Sequence, residues 1–547
     1  MHLQLARQLG IRSQACRGCR TFMMHQVTSV ASPAGLESAT RGRGSHLSCP
    51  SDLSAKHRMP FHISAWSQGG ASEASVADRR TSNSSASTSG MQHGEAASAY
   101  IHLPFCKRKC FYCDFPVIAT GSRLGTPEIR DTMQEYVSLL IEEINASAPV
   151  GELPLRTLYL GGGTPSLIPP QQLDRLIRAV DKRFGIAAGA EISMEADPGT
   201  FDAESLRQYM SLGLSRFSIG VQAFQEDLLE VCGRSHTLYD VYKAIEDVHA
   251  ANPASWSLDL ISGLPHLIED VWRESLLKAI DAEPPHISVY DLQVEDGTPF
   301  AKRYTAGDRP LPGAEEAAAM YRAASQMLTG AGLEHYEISN FALPGHRCHH
   351  NEVYWRGDAS YYAFGLGAAS YLQDRRFSRP RGMGAYKQWV QDFATSGAGL
   401  PGSANDTQDE KDRLLDVVMM RLRTADGLCL KEVESSYGGS AARSIVSALE
   451  PHRQAGLVQT CSNSSSGVRL GTEDSSGDGL GDRATEYGHA GPAGRSKHVS
   501  MQHRSEMTQD GAPSAEESLA GSQVRLSDPE GFLVSNDIIS DVFVALE

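Results

Sequence analysis

The chain has 547 residues, 41% of them hydrophobic, room for two to four domains at roughly 100–200 residues each. Its 50 Lys and Arg stand against 66 Asp and Glu, a formal net charge of -16 that argues against general nucleic-acid binding. Ten cysteines are too dilute for a disulfide framework, and no run approaches the ~18–20 apolar residues of a membrane-spanning helix.

Residues 1–95 hold ten Lys/Arg and five Asp/Glu, with no acid from Met1 to Leu36 and arginines at Arg7, Arg12, Arg17 and Arg20. From Ser72 the chain turns to Ser, Ala, Thr and Gly, which bury too little apolar surface to offset their ordering entropy. An Arg-rich, Ser-rich, acid-poor start predicts an organelle transit peptide within residues 1–97; composition alone does not separate mitochondrion from plastid, and the mitochondrion is slightly favoured. The competing reading is an uncleaved disordered tail.

Order is expected from residue 98. Strands are predicted at Tyr100–Leu103, Thr157–Leu160, Glu191–Glu195, Arg216–Gly220, Ser257–Ile261 and His286–Tyr290. Helical patterns at 128–146, 171–183, 202–212, 238–250 and 269–280 separate them. Six alternating units imply a parallel α/β sheet with right-handed crossovers. Cys106, Gly161–Gly163, Glu195, Gln222, Asp259 and Gln293 all fall at or just past strand C-termini, the face on which barrel enzymes gather their chemistry. A partial (β/α)6 TIM-like barrel over 98–291 is therefore expected.

An α+β extension follows over 292–397, with a helix at 314–330, a strand at 335–339 and the segment HRCHHNEVYW. Beyond a Gly/Pro/Ser/Asn-rich boundary, 408–547 reads as a small helical, winged-helix-like domain. A Ser/Gly/Asp-rich stretch without periodicity at 461–522 is expected to be a disordered insertion. Strands at 456–460 and 524–526 would form a hairpin around it, since closure cost grows only logarithmically with loop length. An apolar helix is predicted at 535–546.

The first strand runs into YIHLPFCKRKCFYCDF, where Cys106, Cys110 and Cys113 form a C-x3-C-x2-C run. Three thiolates on one tight loop suit three irons of a [4Fe–4S] cube and leave the fourth iron open, unlike a closed four-cysteine cluster. Zinc is the alternative, although its sites usually add a second ligand pair far downstream. Lys107, Arg108 and Lys109 would favour thiolates, or they form an ordinary solvated basic loop.

This pattern, with Tyr112 before the last cysteine, resembles the radical S-adenosylmethionine (SAM) superfamily. In that family the open iron chelates SAM, and one electron from the cluster cleaves the sulfonium to give a 5′-deoxyadenosyl radical. The run Gly161–Pro165 fits the superfamily's methionine-binding turn and lacks the Lys-Ser/Thr of a phosphate-binding loop. The runs YIHLPFC, LGGGTPS, EADP, FSIGVQAF, GRSH, LDLISGLP and ISVYDLQVEDGTPF are similar to the branch holding oxygen-independent coproporphyrinogen III oxidases and HemW-type haem chaperones. That resemblance spans roughly 99–400, with a weaker C-terminal match. It implies SAM contacts at Tyr100, Tyr112, Gly162, Gly163, Thr164, Glu195, Gln222, Arg234, Asp259 and Gln293. Singly, each polar member has an ordinary structural reading: Arg234–Asp259 as an ion pair, Glu195 as a helix N-terminal acid.

Two details separate the branches. The oxidase motif carries a further cysteine two residues after the third, and here Phe115 stands in that place, which disfavours oxidase activity. The segment from Cys348 to Trp355 contains HNxxYW, which resembles the chaperones' haem-binding motif through His350, Asn351, Tyr354 and Trp355. His350, or Cys348 as a softer alternative, is the expected iron ligand, and the aromatics would stack on porphyrin or pack beneath it. The resemblance thus implies a [4Fe–4S] cluster, SAM and haem as cofactors, with a haem acceptor protein and an electron donor as partners. A coproporphyrinogen oxidase of porphyrin biosynthesis and a zinc-stabilised scaffold are the alternative functions.

Overall fold

The computed structural model describes residues 95–396, 407–462 and 522–547. The basic N-terminal segment, most of the boundary after Ser396 and nearly all of the 461–522 stretch lie outside the described residues.

Six strands alternate with helices as expected. They are β1 (Ala96–Leu103), β2 (Leu155–Gly162), β3 (Ile186–Ala196), β4 (Arg216–Gln222), β5 (Ser255–Ser262) and β6 (His286–Asp291). Each pairs in parallel with the next. The intervening helices are α1 (Pro127–Ala146), α2 (Pro170–Phe184), α3 (Ala203–Ser211), α4 (Leu238–Ala251) and α5 (Glu269–Asp281). Their starts are built locally. Thr126 caps α1 ahead of Pro127, and Asp202 and Thr237 form capping boxes on α3 and α4, satisfying N–H groups that a helix leaves unpaired.

Alternation along the strands separates two buried faces. Ile101, Leu158, Leu160, Met194, Phe217, Ile219, Leu258 and Ile287 share one apolar core with the helices. The intervening positions, among them Tyr100, Tyr159, Ser193, Ser218, Ser257, Asp259 and Ser288, are also buried yet polar. Barrel interiors are usually filled by branched apolar side chains. A lumen of hydroxyls and carboxylates is costly unless those groups are hydrogen-bonded to one another or to a ligand.

The extension joins both edges of this sheet. Strands β7 (Glu334–Glu337) and β8 (Asn340–Ala342) add antiparallel beside β6. On the other edge β9 (Ser360–Phe364) pairs in parallel with β1, and β10 (Ala369–Leu372) and β11 (Arg375–Ser378) follow antiparallel. The result is one 11-stranded sheet. Helices α6 (Ala314–Gly330), α7 (His349–Trp355) and α8 (Met383–Thr395) complete the region.

The C-terminal part runs α9 (Glu410–Arg421), β12 (Leu428–Cys429), α10 (Leu430–Tyr437), α11 (Gly439–Gln454), β13 (Val458–Ser462), β14 (Ser522–Leu526) and α12 (Ser535–Leu546). Its three-stranded sheet, ordered β12-β14-β13, and its own apolar core give the winged-helix-like arrangement. The predicted hairpin is present, with Val458 opposite Leu526. Among the described residues no helix is long and apolar enough to cross a membrane.

Candidate cofactor site

The cysteine loop leaves β1 and is pinned on both sides by backbone hydrogen bonds. Thr120 N donates to Cys106 O at 2.8 Å, Phe111 N to Cys232 O at 2.9 Å, and Phe300 N to Phe111 O at 3.0 Å. The Phe111 ring lies under the Arg303 guanidinium, 4.5 Å away, and against Gly233, where an added Cβ would meet it at 3.0 Å. A side chain at position 233 would therefore push the loop off its seat.

Burial pushes the Cys106 thiol well up and that of Cys113 up to about 11. A metal held by these sulfurs at neutral pH would have to displace protons. Two donors are aimed at the sulfurs. Arg234 Nη1 lies 3.2 Å from Cys110 Sγ and 3.1 Å from the Tyr112 hydroxyl, and Thr164 Oγ1 lies 3.6 Å from Cys106 Sγ. Asp197 ties these donors together: Arg234 Nη2 donates to it at 2.6 Å and Thr164 Oγ1 at 3.2 Å. Arg234 Nη2 also donates to Gly220 O at 2.8 Å.

At the end of β2, Gly162 holds φ +110°, and a Cβ there would overlap the His102 ring. Glycine alone suits that backbone. Gly162 N donates to Glu195 Oε2 at 2.8 Å, and the Tyr159 hydroxyl donates to Glu195 Oε1 at 3.2 Å. Deeper in the lumen Asp259 accepts from the Ser218 hydroxyl at 2.9 and 2.8 Å, and burial raises its carboxyl to about 6. Gln222 sits at φ +72°, a left-handed conformation uncommon outside glycine and concentrated at functional sites.

These groups line one open-mouthed cavity at the strand C-termini. All three cysteines line it, with Tyr112, Gly162, Gly163, Thr164, Glu195, Gln222, Arg234 and Asp259. Two expected contacts stand apart. Tyr100 is buried behind the cavity wall, sharing a hydrogen bond with His102 Nδ1 at 3.2 Å. Gln293 lies on the exposed turn after β6, 3.4 Å from Asp291 Oδ2. Asp197, Ser218 and Tyr290 line the cavity without having been singled out from the sequence.

The residues fit a thiolate-held cluster with a polar ligand beside it. The lining presents buried polar atoms lacking a partner among the described residues, namely Gln222 Oε1 and Arg234 Nε. Such atoms are costly unless a bound molecule or water satisfies them.

The HNxxYW helix α7 lies at the opposite end of β2. His350, Asn351, Tyr354 and Trp355 are all buried. His350 Nδ1 shares a 2.8 Å hydrogen bond with Thr157 Oγ1, and Nε2 one of 2.7 Å with the Tyr354 hydroxyl. The expected iron ligand therefore has both ring nitrogens engaged in this conformation. Cys348, the alternative, is buried, and burial pushes its thiol up to about 12.

Comparison with known proteins places this geometry. The Radical SAM superfamily model matches residues 100–279, and the HemN C-terminal domain model matches residues 408–464. The heme chaperone HemW of Synechocystis sp. is 38% identical over 450 residues, covering 82% of this chain and 97% of that protein. The HemW of Bacillus subtilis is 33% identical, covering 68% and 94%. A relative from Danio rerio, "Radical S-adenosyl methionine domain-containing protein 1, mitochondrial", is 30% identical over 61% of this chain and 74% of its own length. The solved structure of Escherichia coli coproporphyrinogen III oxidase, HemN, matches in fold with a TM-score of 0.60 at 20% identity, covering 83% of this chain and 90% of that one.

Proposed function

We propose, from the premise that the chain belongs to the HemW family of the radical SAM superfamily, that it is a haem chaperone. In this reading it holds a [4Fe–4S] cluster on Cys106, Cys110 and Cys113, binds SAM alongside, holds haem at α7 and passes it to an acceptor protein. The cluster, when bound, supplies an open iron position and one electron from a donor protein. Everything else belongs to the chain. Arg234, held by Asp197, donates to the Cys110 sulfur, and such hydrogen bonds tune cluster potential. Glu195 and Asp259 offer carboxylates to amine and hydroxyl donors, and Gly162 and Gly163 let such a ligand approach the backbone.

Phe115 is the observation that carries the chaperone reading over a decarboxylating oxidase. Its ring lines the cavity where the oxidase motif has a further cysteine. The basic N-terminal segment is read as an import sequence, for the mitochondrion first, supported by the mitochondrial naming of the Danio rerio relative.

The test is anaerobic incubation of reconstituted protein with coproporphyrinogen III and SAM, run beside a haem titration. Stoichiometric haem uptake without decarboxylated product is expected, and product formation would restore the oxidase reading. In the same assay Cys106→Ala should abolish the cluster's broad visible absorption. His350→Ala should weaken haem uptake with that absorption intact.

A further inference from the structure

Tyr159 touches both proposed sites at once. On the cofactor side its hydroxyl donates to Glu195 Oε1 at 3.2 Å, while Glu195 Oε2 accepts from Gly162 N at 2.8 Å. On the other side its ring lies against the His350 imidazole, with centroids 5.1 Å apart and planes 24° from parallel. Two residues back on β2, Thr157 holds His350 Nδ1 at 2.8 Å. Two residues forward, the glycine run begins. One strand thus carries the cofactor turn at its end, the aromatic link in its middle and the histidine clamp at its start.

The geometry points to Tyr159 as a positioning residue that couples the cavity to the HNxxYW histidine, so that a ligand on Glu195 loosens His350 and eases haem binding. This rests on the haem reading proposed above. An amine or hydroxyl donor entering the cavity competes with the Tyr159 hydroxyl for Glu195. Losing that bond removes one hold on the ring, which also stacks on Tyr100 with centroids 6.2 Å apart and lies against the imidazole. His350 could coordinate iron only after a ring nitrogen leaves Thr157 or Tyr354, so the held state would scale apparent haem affinity by the fraction of molecules released. A ligand that favours the released state raises that fraction, and the linkage is reciprocal.

The experiment titrates haem into cluster-reconstituted full-length protein with and without saturating SAM, following the Soret band, and repeats SAM binding by equilibrium dialysis with and without haem. In the natural protein SAM should tighten haem binding at least about 5-fold, and haem should tighten SAM by the same factor. Tyr159→Phe removes the hydroxyl and with it the bond to Glu195 that holds the ring. It should still bind both ligands, with the factor reduced to about one. Tyr354→Phe removes the hydroxyl bonded to His350 Nε2 and should tighten haem without SAM while shrinking the factor. Haem binding indifferent to SAM in the natural protein, or a full factor retained in Tyr159→Phe, overturns the coupling alone. No haem binding with or without SAM overturns the haem reading and the coupling with it.

Discussion

Asp259 shows how a single side chain trades stability for binding. Burial raises its carboxyl to about 6, above the ~3.9 of an unfolded aspartate. The folded protein therefore binds the extra proton between those values, and stability falls as pH rises through them. At pH 7 the ionised group costs the ligand-free protein on the order of 2–3 kcal/mol. Asp259→Asn should then unfold at higher urea than the natural protein at pH 7, with the gap closing near pH 4, and should bind SAM more weakly. A variant no more stable at pH 7 would show that the Ser218 hydrogen bonds already compensate the charge. Asp259 was legible in the sequence because LDLISGLP and its family resemblance are local strings. Asp197 was not, although it stands inside EADP. Its partners Thr164 and Arg234 lie 33 and 37 positions away, and no local pattern announces a contact across three strands.

Among the elements, α1 is tied to the far edge of the sheet by one buried carboxylate. Glu143 accepts from Arg379 Nε at 2.7 Å, the Tyr386 hydroxyl at 2.6 Å and Gly365 N at 3.0 Å. Breaking such a pair strands a charge, which typically costs roughly 3–5 kcal/mol, whereas removing both charges costs far less. Glu143→Gln should lower the urea midpoint markedly, and Glu143→Gln with Arg379→Met should recover part of the loss. Equal midpoints for the single and double variants would refute the assignment. The six barrel strands and their helices were readable because period 2 and period 3.6 are local signals. The tie at Glu143 was not, and neither were β9 to β11 or α8. SYYAF carries strand-forming aromatics, yet its role depends on pairing with β1, which lies more than 250 residues earlier. Likewise β1 begins at Ala96 rather than Tyr100, because pairing on both edges recruits Ala-Ala-Ser-Ala, residues with little strand preference of their own.

Across the whole chain, the C-terminal domain reaches the HNxxYW helix through packing and the extension through charge. Tyr354 and Trp355 of α7 share a buried cluster with Tyr361, Tyr371 and Met420 of α9. On the other side Asp528 accepts from the Ser325 hydroxyl at 2.8 Å and pairs with His335 Nδ1 at 2.7 Å, while Arg322 grips Glu530 with two bonds of 2.6 and 2.8 Å. Burial alone would raise the Asp528 carboxyl, but the bonds from His335 and Ser325 hold it below its ordinary value. Its contribution is therefore present at neutral pH and lost as pH falls through the carboxylate range. The exposed Arg322–Glu530 pair is screened by water and contributes less. Asp528→Ala leaves Nδ1 of the buried His335 ring without its partner, at a cost of roughly 1–3 kcal/mol. Because the loss falls at the docking seam, hydrogen exchange should accelerate at Ser522–Leu526 and Glu530–Leu533 while amides of β1 to β6 keep their protection. The cluster's visible absorption should not change, since the cysteine loop lies at the strand C-termini and takes no support from this seam. Uniform acceleration across the barrel strands would instead mean that the two parts unfold as one unit.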